Sequence, residues 1–280
     1  MTASSDLRFF ASTDGDLAYR DTGGTGLPVV LLHAGFVDHT MWDEHIPAFA
    51  QEFRVIAPDA RGHGWSANAS RPFRQADDLA ALLRHLDAGP AVLVGISMGA
   101  TIAVGTALEH PDLVRGLVVS GGGMEEPEFT EPWSVLARAT QFKALAAGDI
   151  DAWQDASDAW VHGPDRPRDA VRAETYSRLR EMRLRTISKH APGEPDHHVP
   201  VGDLGARAGL IAVPVLGLNG AQDTPELRAM AEFVARASPR GRTAVIDDAA
   251  HFPSLDRPDE YIRIVTDFLH SLDEEASARP

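Results

Sequence analysis

Six short apolar runs, each closed by polar or glycine residues, punctuate the chain and decide what it can become. They are LPVVLLH (27–33), FRVIAPD (53–59), AVLVGIS (91–97), VRGLVVS (114–120), VPVLGLN (213–219) and RTAVIDD (242–248). Rich in β-branched residues and apolar almost without a break, they read as strands buried on both faces. Helix-like stretches lie between them: RQADDLAALLRHLD (74–87), MGATIAVGTALEH (98–110) and PDEYIRIVTDFLHSL (258–272), with Pro258 in a first-turn position. Strands that alternate with helices in this way build an α/β fold, a mostly parallel twisted sheet with helices on both faces. At the N-terminal edge, RFFAST and DLAYRD, split by Asp14-Gly15, read as an antiparallel hairpin.

The alternation stops after Ser120. From about Met124 to Ala206 no strand pattern occurs. Helical stretches take over: WSVLARATQFKALAAG, IDAWQDASDAWVHG and AVRAETYSRLREMRLRTISKH, then the loop APGEPDHHVPVGD. Strands resume at Val213. The organisation expected is a core of residues 1–123 and 207–280, interrupted by a helical cap, or lid, over 124–206. The charged tail DEEASARP is expected to fray.

At 280 residues the chain has the length of one large domain with an insertion. Its net charge of −15 leaves no basic stripe to neutralise phosphates, so a nucleic-acid partner is not expected. With no cysteine, disulfides, thiolate catalysis and Cys-ligated metals are excluded. The opening MTASSDLRFFASTDGD lacks the basic start and apolar core of a secretory signal, and no apolar run is long enough to span a bilayer. A cytoplasmic protein without membrane contact is the expectation.

One pentapeptide carries chemistry. VGISMGA places Ser97 at the centre of Gly-x-Ser-x-Gly, where a strand ends and a helix begins. Glycines two positions to either side allow a tight strand-to-helix turn that pushes the hydroxyl out at the sheet's carboxyl edge. The bland alternative is a serine that caps the helix. A hydroxyl needs a base to become a nucleophile, and on this architecture the acid and the base follow the serine in that order. His251, in the loop DDAAHFPSLDRP after a strand, fits the base; His270 falls within a helix pattern. Asp223, just past VPVLGLN, is the first choice of acid, with Glu125 and Glu126 after VRGLVVS as rivals. Two backbone N–H donors, from Met98 and from Gly35 in the loop HAGF, would form an oxyanion hole. Candidate pocket residues are Phe36 and Phe252 beside the loops, and Trp133, Phe142 and Trp160 of the insertion, whose aromatics (Trp153 among them) are otherwise packing. His197-His198 with Asp196 lack the spacing of a metal site.

LLHAGFVDHTMW, APDARGHGWS, VGISMGA, LGLNGAQDTP and AAHFPSLDRPDEY run in the order, and with the motifs, of the α/β-hydrolase fold superfamily. The chain resembles its cap-bearing branch of esterases, lactonases and enol-lactone hydrolases, over nearly all residues outside 124–206. HAG stands where many relatives have HGG or HG. The resemblance implies an α/β-hydrolase fold with a helical cap inserted after strand β6 (114–120). It also implies a Ser97–Asp223–His251 triad that cleaves a small carboxylic ester or lactone through an acyl-enzyme, with no cofactor and no metal. His33, His63, Asp59 and Arg61 then become loop braces, the last two as a pair. Carbon–carbon hydrolysis and perhydrolysis use the same triad, and hydrolase-fold sensors can keep it. Relatives that attack through an aspartate, the haloalkane dehalogenases and epoxide hydrolases, are excluded by the serine.

Overall fold

The computed structural model describes residues 6–277, with side chains up to Leu272; residues 1–5 and 278–280, parts of the opening segment and of the tail, lie outside it. The hairpin is β1 (Leu7–Ser12) and β2 (Gly15–Asp21), turned on Gly15 at φ +86°. There follow β3 (Pro28–Leu32), the short helix α1 (Ile46–Phe49), β4 (Arg54–Pro58), α2 (Gln75–His85), β5 (Ala91–Ile96), α3 (Met98–Glu109) and β6 (Val114–Ser120). Helices α4 (Pro132–Ala146), α5 (Ile150–His162) and α6 (Ala173–Ile187) come next, then the short α7 (Leu204–Arg207). The chain returns to the sheet with β7 (Val215–Gly220), α8 (Pro225–Ala237) and β8 (Gly241–Ile246), and ends in the short α9 (Pro253–Asp256) and α10 (Pro258–Ser277). The helix expected to stop at 272 thus continues into the charged tail.

The eight strands form one sheet in the order β1-β2-β4-β3-β5-β6-β7-β8. β2 runs antiparallel to both neighbours and every later pairing is parallel. Neighbouring residues of the central strands go to opposite faces. Val29, Leu31, Val92 and Val94 join a core with Trp42, Phe49, Tyr261 and Phe268. Val30, Leu32 and Leu93 join another with Leu83, Val104 and Val234. Both faces are covered, which is why the strands read as continuous apolar runs and not as alternating ones.

Chain order reverses at β3: the next strand, β4, lies on one side of it and β5 on the other. Loops leaving the carboxyl ends of β3 and β5 therefore diverge and leave a crevice, the usual binding place of an open parallel sheet.

The helical segment is tied down by charge. Asp158 of α5, fully buried, meets Arg183 at 2.8 Å and Arg180 at 2.6 Å from α6, and Arg168 at 2.8 Å from the connection. Beyond α6, His190 Nε2 donates to the Gly62 carbonyl at 2.8 Å and Asn68 to the Lys189 carbonyl at 2.6 Å. A single bridge joins Phe73 to His198. No helix among the described residues is long and apolar enough to cross a membrane.

Candidate active site

Ser97 stands between β5 and α3 at φ 56°, ψ −116°, a region that non-glycine residues rarely enter. The motif's glycines make that turn sterically possible. A Cβ on Gly95 would lie 2.3 Å from the Gly99 carbonyl oxygen, and one on Gly99 would lie 2.2 Å from the Leu32 oxygen. The Ser97 N–H donates to the Ser120 carbonyl at 2.8 Å, which hangs the turn from the end of β6. Its side chain makes no capping bond to α3, so the serine is not there as a helix cap. It lines a cavity of about 440 Å³ together with Met98, Gly121 and Gly122.

Asp223 follows β7 and His251 follows β8. His251 Nδ1 and Asp223 Oδ2 are 2.9 Å apart, with both side chains buried. The other carboxylate oxygen accepts from the Thr224 N–H at 2.8 Å. The bond from His251 to Asp223 assigns the ring proton to Nδ1 and leaves Nε2 as the acceptor. Glu125 and Glu126, the rival acids, are engaged elsewhere. Glu125 accepts from the N–H groups of Leu204 and Gly205, and Glu126 pairs with Arg138.

The glycines after β6 join the serine to the histidine, and sequence reasoning passed over them. A Cβ on Gly121, which sits at φ +55°, would lie 2.8 Å from His251 Cε1 and 3.1 Å from Asp223 Oδ2. One on Gly122 would lie 2.4 Å from the Ser97 carbonyl oxygen. The signal was present as SGGG at a strand's carboxyl end. Gly35 faces Met98, with its notional Cβ 3.9 Å from the methionine's. Ser97, Met98, Gly35, Asp223 and His251 thus gather along one edge of the sheet.

The helical segment reaches this edge at the end of α5. A Cβ on Gly163 would strike the Gln222 carbonyl oxygen at 2.4 Å and approach Ala250 to 3.1 Å, so the turn packs on both the loop of Asp223 and the loop of His251. Arg166 completes the staple: it donates to the Asp248 carbonyl at 2.6 Å and to Asp256 at 2.8 Å. Asp256 in turn accepts from the Ala250 N–H at 2.9 Å.

The aromatic wall expected of Phe36, Trp133, Phe142, Trp160 and Phe252 is not where the cavity lies. None of the five lines it. Trp133 and Trp160 pack edge to face on each other at 5.2 Å, and Phe142 faces outward under Arg138. Phe36, at φ 63°, leans on the buried Trp153, while Phe252 stands edge-on to the His251 ring at 5.3 Å. The wall comes instead from Met124, Pro127 and Phe129 after β6, Val199 and Val201 of the 191–203 loop, and Leu204, Leu227 and Met230.

His33 ties two loops: Nδ1 donates to the Ala34 carbonyl at 2.8 Å and Nε2 accepts from the Ala60 N–H at 2.9 Å. Burial pushes His63 down to about 3, so it stays neutral. Asp59 and Arg61 do brace loops, but not with each other. Asp59 holds His39 at 2.8 Å, and Arg61 forks onto Asp78 at 2.8 and 2.9 Å. Asp38, His39 and Asp59 also form a compact cluster of metal-type donors. Its oxygens already accept from Thr40, His39 and Trp65, and Arg185 stands 3.2 Å from Asp38, so protein groups fill the role a cation would take. His198 presents its ring to Phe73 at 5.6 Å.

Residues 28–258 match the family model of the alpha/beta hydrolase fold. The chain belongs to the alpha/beta hydrolase family. Among relatives of this hydrolase, a 2-(acetamidomethylene)succinate hydrolase of Mesorhizobium japonicum is 26% identical, covering 88% of this chain and 89% of its own. A thermophilic esterase of Thermogutta terrifontis superimposes with a TM-score of 0.76 at 26% identity, over 96% of this chain and 99% of that one. The enol-lactonase of Burkholderia xenovorans LB400 gives 0.73 at 24% identity, over 94% and 100% of the two chains, a likeness of fold alone.

Proposed function

We propose that this alpha/beta hydrolase cleaves a small carboxylic ester or lactone with Ser97 as nucleophile, His251 as base and Asp223 as the orienting acid. The observation that carries the reading is the buried His251–Asp223 bond of 2.9 Å beside a serine held in a left-handed turn. His251 Nε2 takes the hydroxyl proton as Ser97 Oγ attacks the carbonyl carbon. The N–H groups of Met98 and Gly35 receive the negative charge that develops on the oxygen. The C–O bond to the alcohol breaks as the alcohol takes the proton from His251. Water then adds to the acyl-serine by the same route and releases the acid.

Residues 124–206 serve as the cap on a core of 1–123 and 207–280, and the cap's first loop, around Met124–Phe129, shapes the substrate's surroundings. The esterase among the similar structures supports this class of chemistry. The test is labelling with a fluorophosphonate probe, mapped by mass spectrometry, beside turnover of 4-nitrophenyl butyrate. Modification of Ser97, with turnover abolished in Ser97→Ala, is the expected result. Turnover that survives in Ser97→Ala would refute the assignment.

A further inference from the structure

We infer that the cavity beside Ser97 selects substrates whose acyl or alcohol part is neutral and apolar, and turns away those that carry a second carboxylate. The inference rests on the hydrolase reading above for its catalytic consequence, but its basis is the wall of the cavity.

Hydrocarbon dominates that wall: Met124, Phe129, Val201, Leu204, Leu227 and Met230 line it together with Ile102. Among the described residues its charged members are Glu125 and Glu126, both acids. Among the described residues, neither lysine nor arginine lines it. Glu125 is kept ionised: partial burial works against the charge, but the N–H groups of Leu204 and Gly205 that it accepts from hold its pKa below the usual carboxylate range. His198, the histidine of the wall, is held toward its neutral form by burial.

Arginines that touch lining residues or stand close to them in the chain are already paired. Arg138 is paired with Glu126 and lies over the ring of Phe129 at 5.1 Å. Arg74 and Arg207 converge on Glu109 at 2.9 and 2.6 Å. A carboxylate brought into the cavity would lose water, meet no unpaired counter-charge among the lining residues and face the ionised Glu125. A methyl group in the same place would gain from burial. The volume of about 440 Å³ falls in the range of small-ligand sites and, at roughly 30 Å³ per water-sized group, holds about fifteen non-hydrogen atoms. An eight-carbon acyl chain fits that space.

The test compares 4-nitrophenyl octanoate with the mono-4-nitrophenyl ester of suberic acid, two eight-carbon acyl groups that end in a methyl and in a carboxylate. The expected result is a kcat/KM about a hundredfold higher for the octanoate at pH 7.5. The ratio should narrow as pH falls toward the ordinary carboxyl range, near 4.5. Because both substrates use the same triad, its own titration cancels in the ratio. Equal kcat/KM values, or a preference for the suberate, overturn the inference. Binding of octanamide and of suberamic acid, followed by calorimetry, separates this from the hydrolase reading. If neither ester is turned over yet octanamide binds in preference, the selectivity stands and the hydrolase reading falls. Equal binding of the two amides sinks the selectivity.

Discussion

Ser97 holds a backbone conformation that costs a non-glycine residue about 1–3 kcal/mol and that the Gly95 and Gly99 contacts impose. Stability and chemistry should therefore part at this position. Ser97→Gly is expected to unfold about 1 kcal/mol harder than Ser97→Ala in urea, because glycine accepts positive φ without strain, while both variants lose turnover. Equal midpoints would mean that the turn is not strained. Gly121 is the complementary case, a residue that must have no side chain. Gly121→Ala would push a methyl into the His251 ring, 2.8 Å away, and should lower kcat about a hundredfold with the fold retained by circular dichroism. Gly202→Ala, which meets nothing within 4 Å, is the matched control. Replacing the proposed acid, Asp223→Asn, removes the carboxylate oxygen that fixes the ring proton on Nδ1 and should cost about four orders of magnitude in kcat. A near-normal rate there would move the acid's role away from Asp223.

Elements were legible where burial is two-sided. β3 and β5 are apolar throughout and almost wholly buried, so their limits could be read to within a residue or two, and the three helices of 124–206 were readable from their spacing. The direction each of those helices faces was not. Trp133, Phe142 and Trp160 share the composition of a pocket wall, yet α4 turns Phe142 to solvent under Arg138, while Trp133 and Trp160 pack on each other. Such placement is decided by contacts far apart in the chain, and a pattern within one helix does not encode it. The same holds for the staple at the end of α5, where Gly163 and Arg166 meet loops some sixty to ninety residues downstream. Two substitutions separate its roles from those of the salt-bridge knot. Arg166→Met frees the loop that carries His251 and should lower kcat tenfold or more with KM moved less; the opposite split would make Arg166 a binding residue. Asp158→Asn leaves Arg183 buried without its counter-ion and should cost about 3 kcal/mol in denaturant, with the kcat of the folded fraction unchanged.

For the whole molecule, the parallel run of β3, β5, β6, β7 and β8 brings the loops after five strands to one edge, so residues 33 to 251 can meet there. A serine motif, a distant aspartate and a later histidine were therefore readable as one site, since the order of strands fixes which ends are neighbours. What the same packing does to stability is a separate matter of protons. Burial lowers His45 to about 4 and His63 to about 3, from an ordinary value near 6.5. In the unfolded chain both rings bind a proton as pH drops through about 6.5, while the folded rings resist until about 4 and 3. Between those limits the unfolded state holds more protons, so stability is full above pH 6.5 and is lost as pH falls. The contribution of His45 alone is on the order of 3 kcal/mol at most. Urea midpoints measured from pH 7.5 to 4.5 should fall, and His45→Phe should flatten the decline by about one proton's worth. The ring of His45 already packs edge-on to Trp42 and Tyr261, so phenylalanine keeps that contact and gives up only the 3.1 Å bond to the Ser254 carbonyl. A slope unchanged in His45→Phe would show that this histidine is not the group taking up the proton on unfolding.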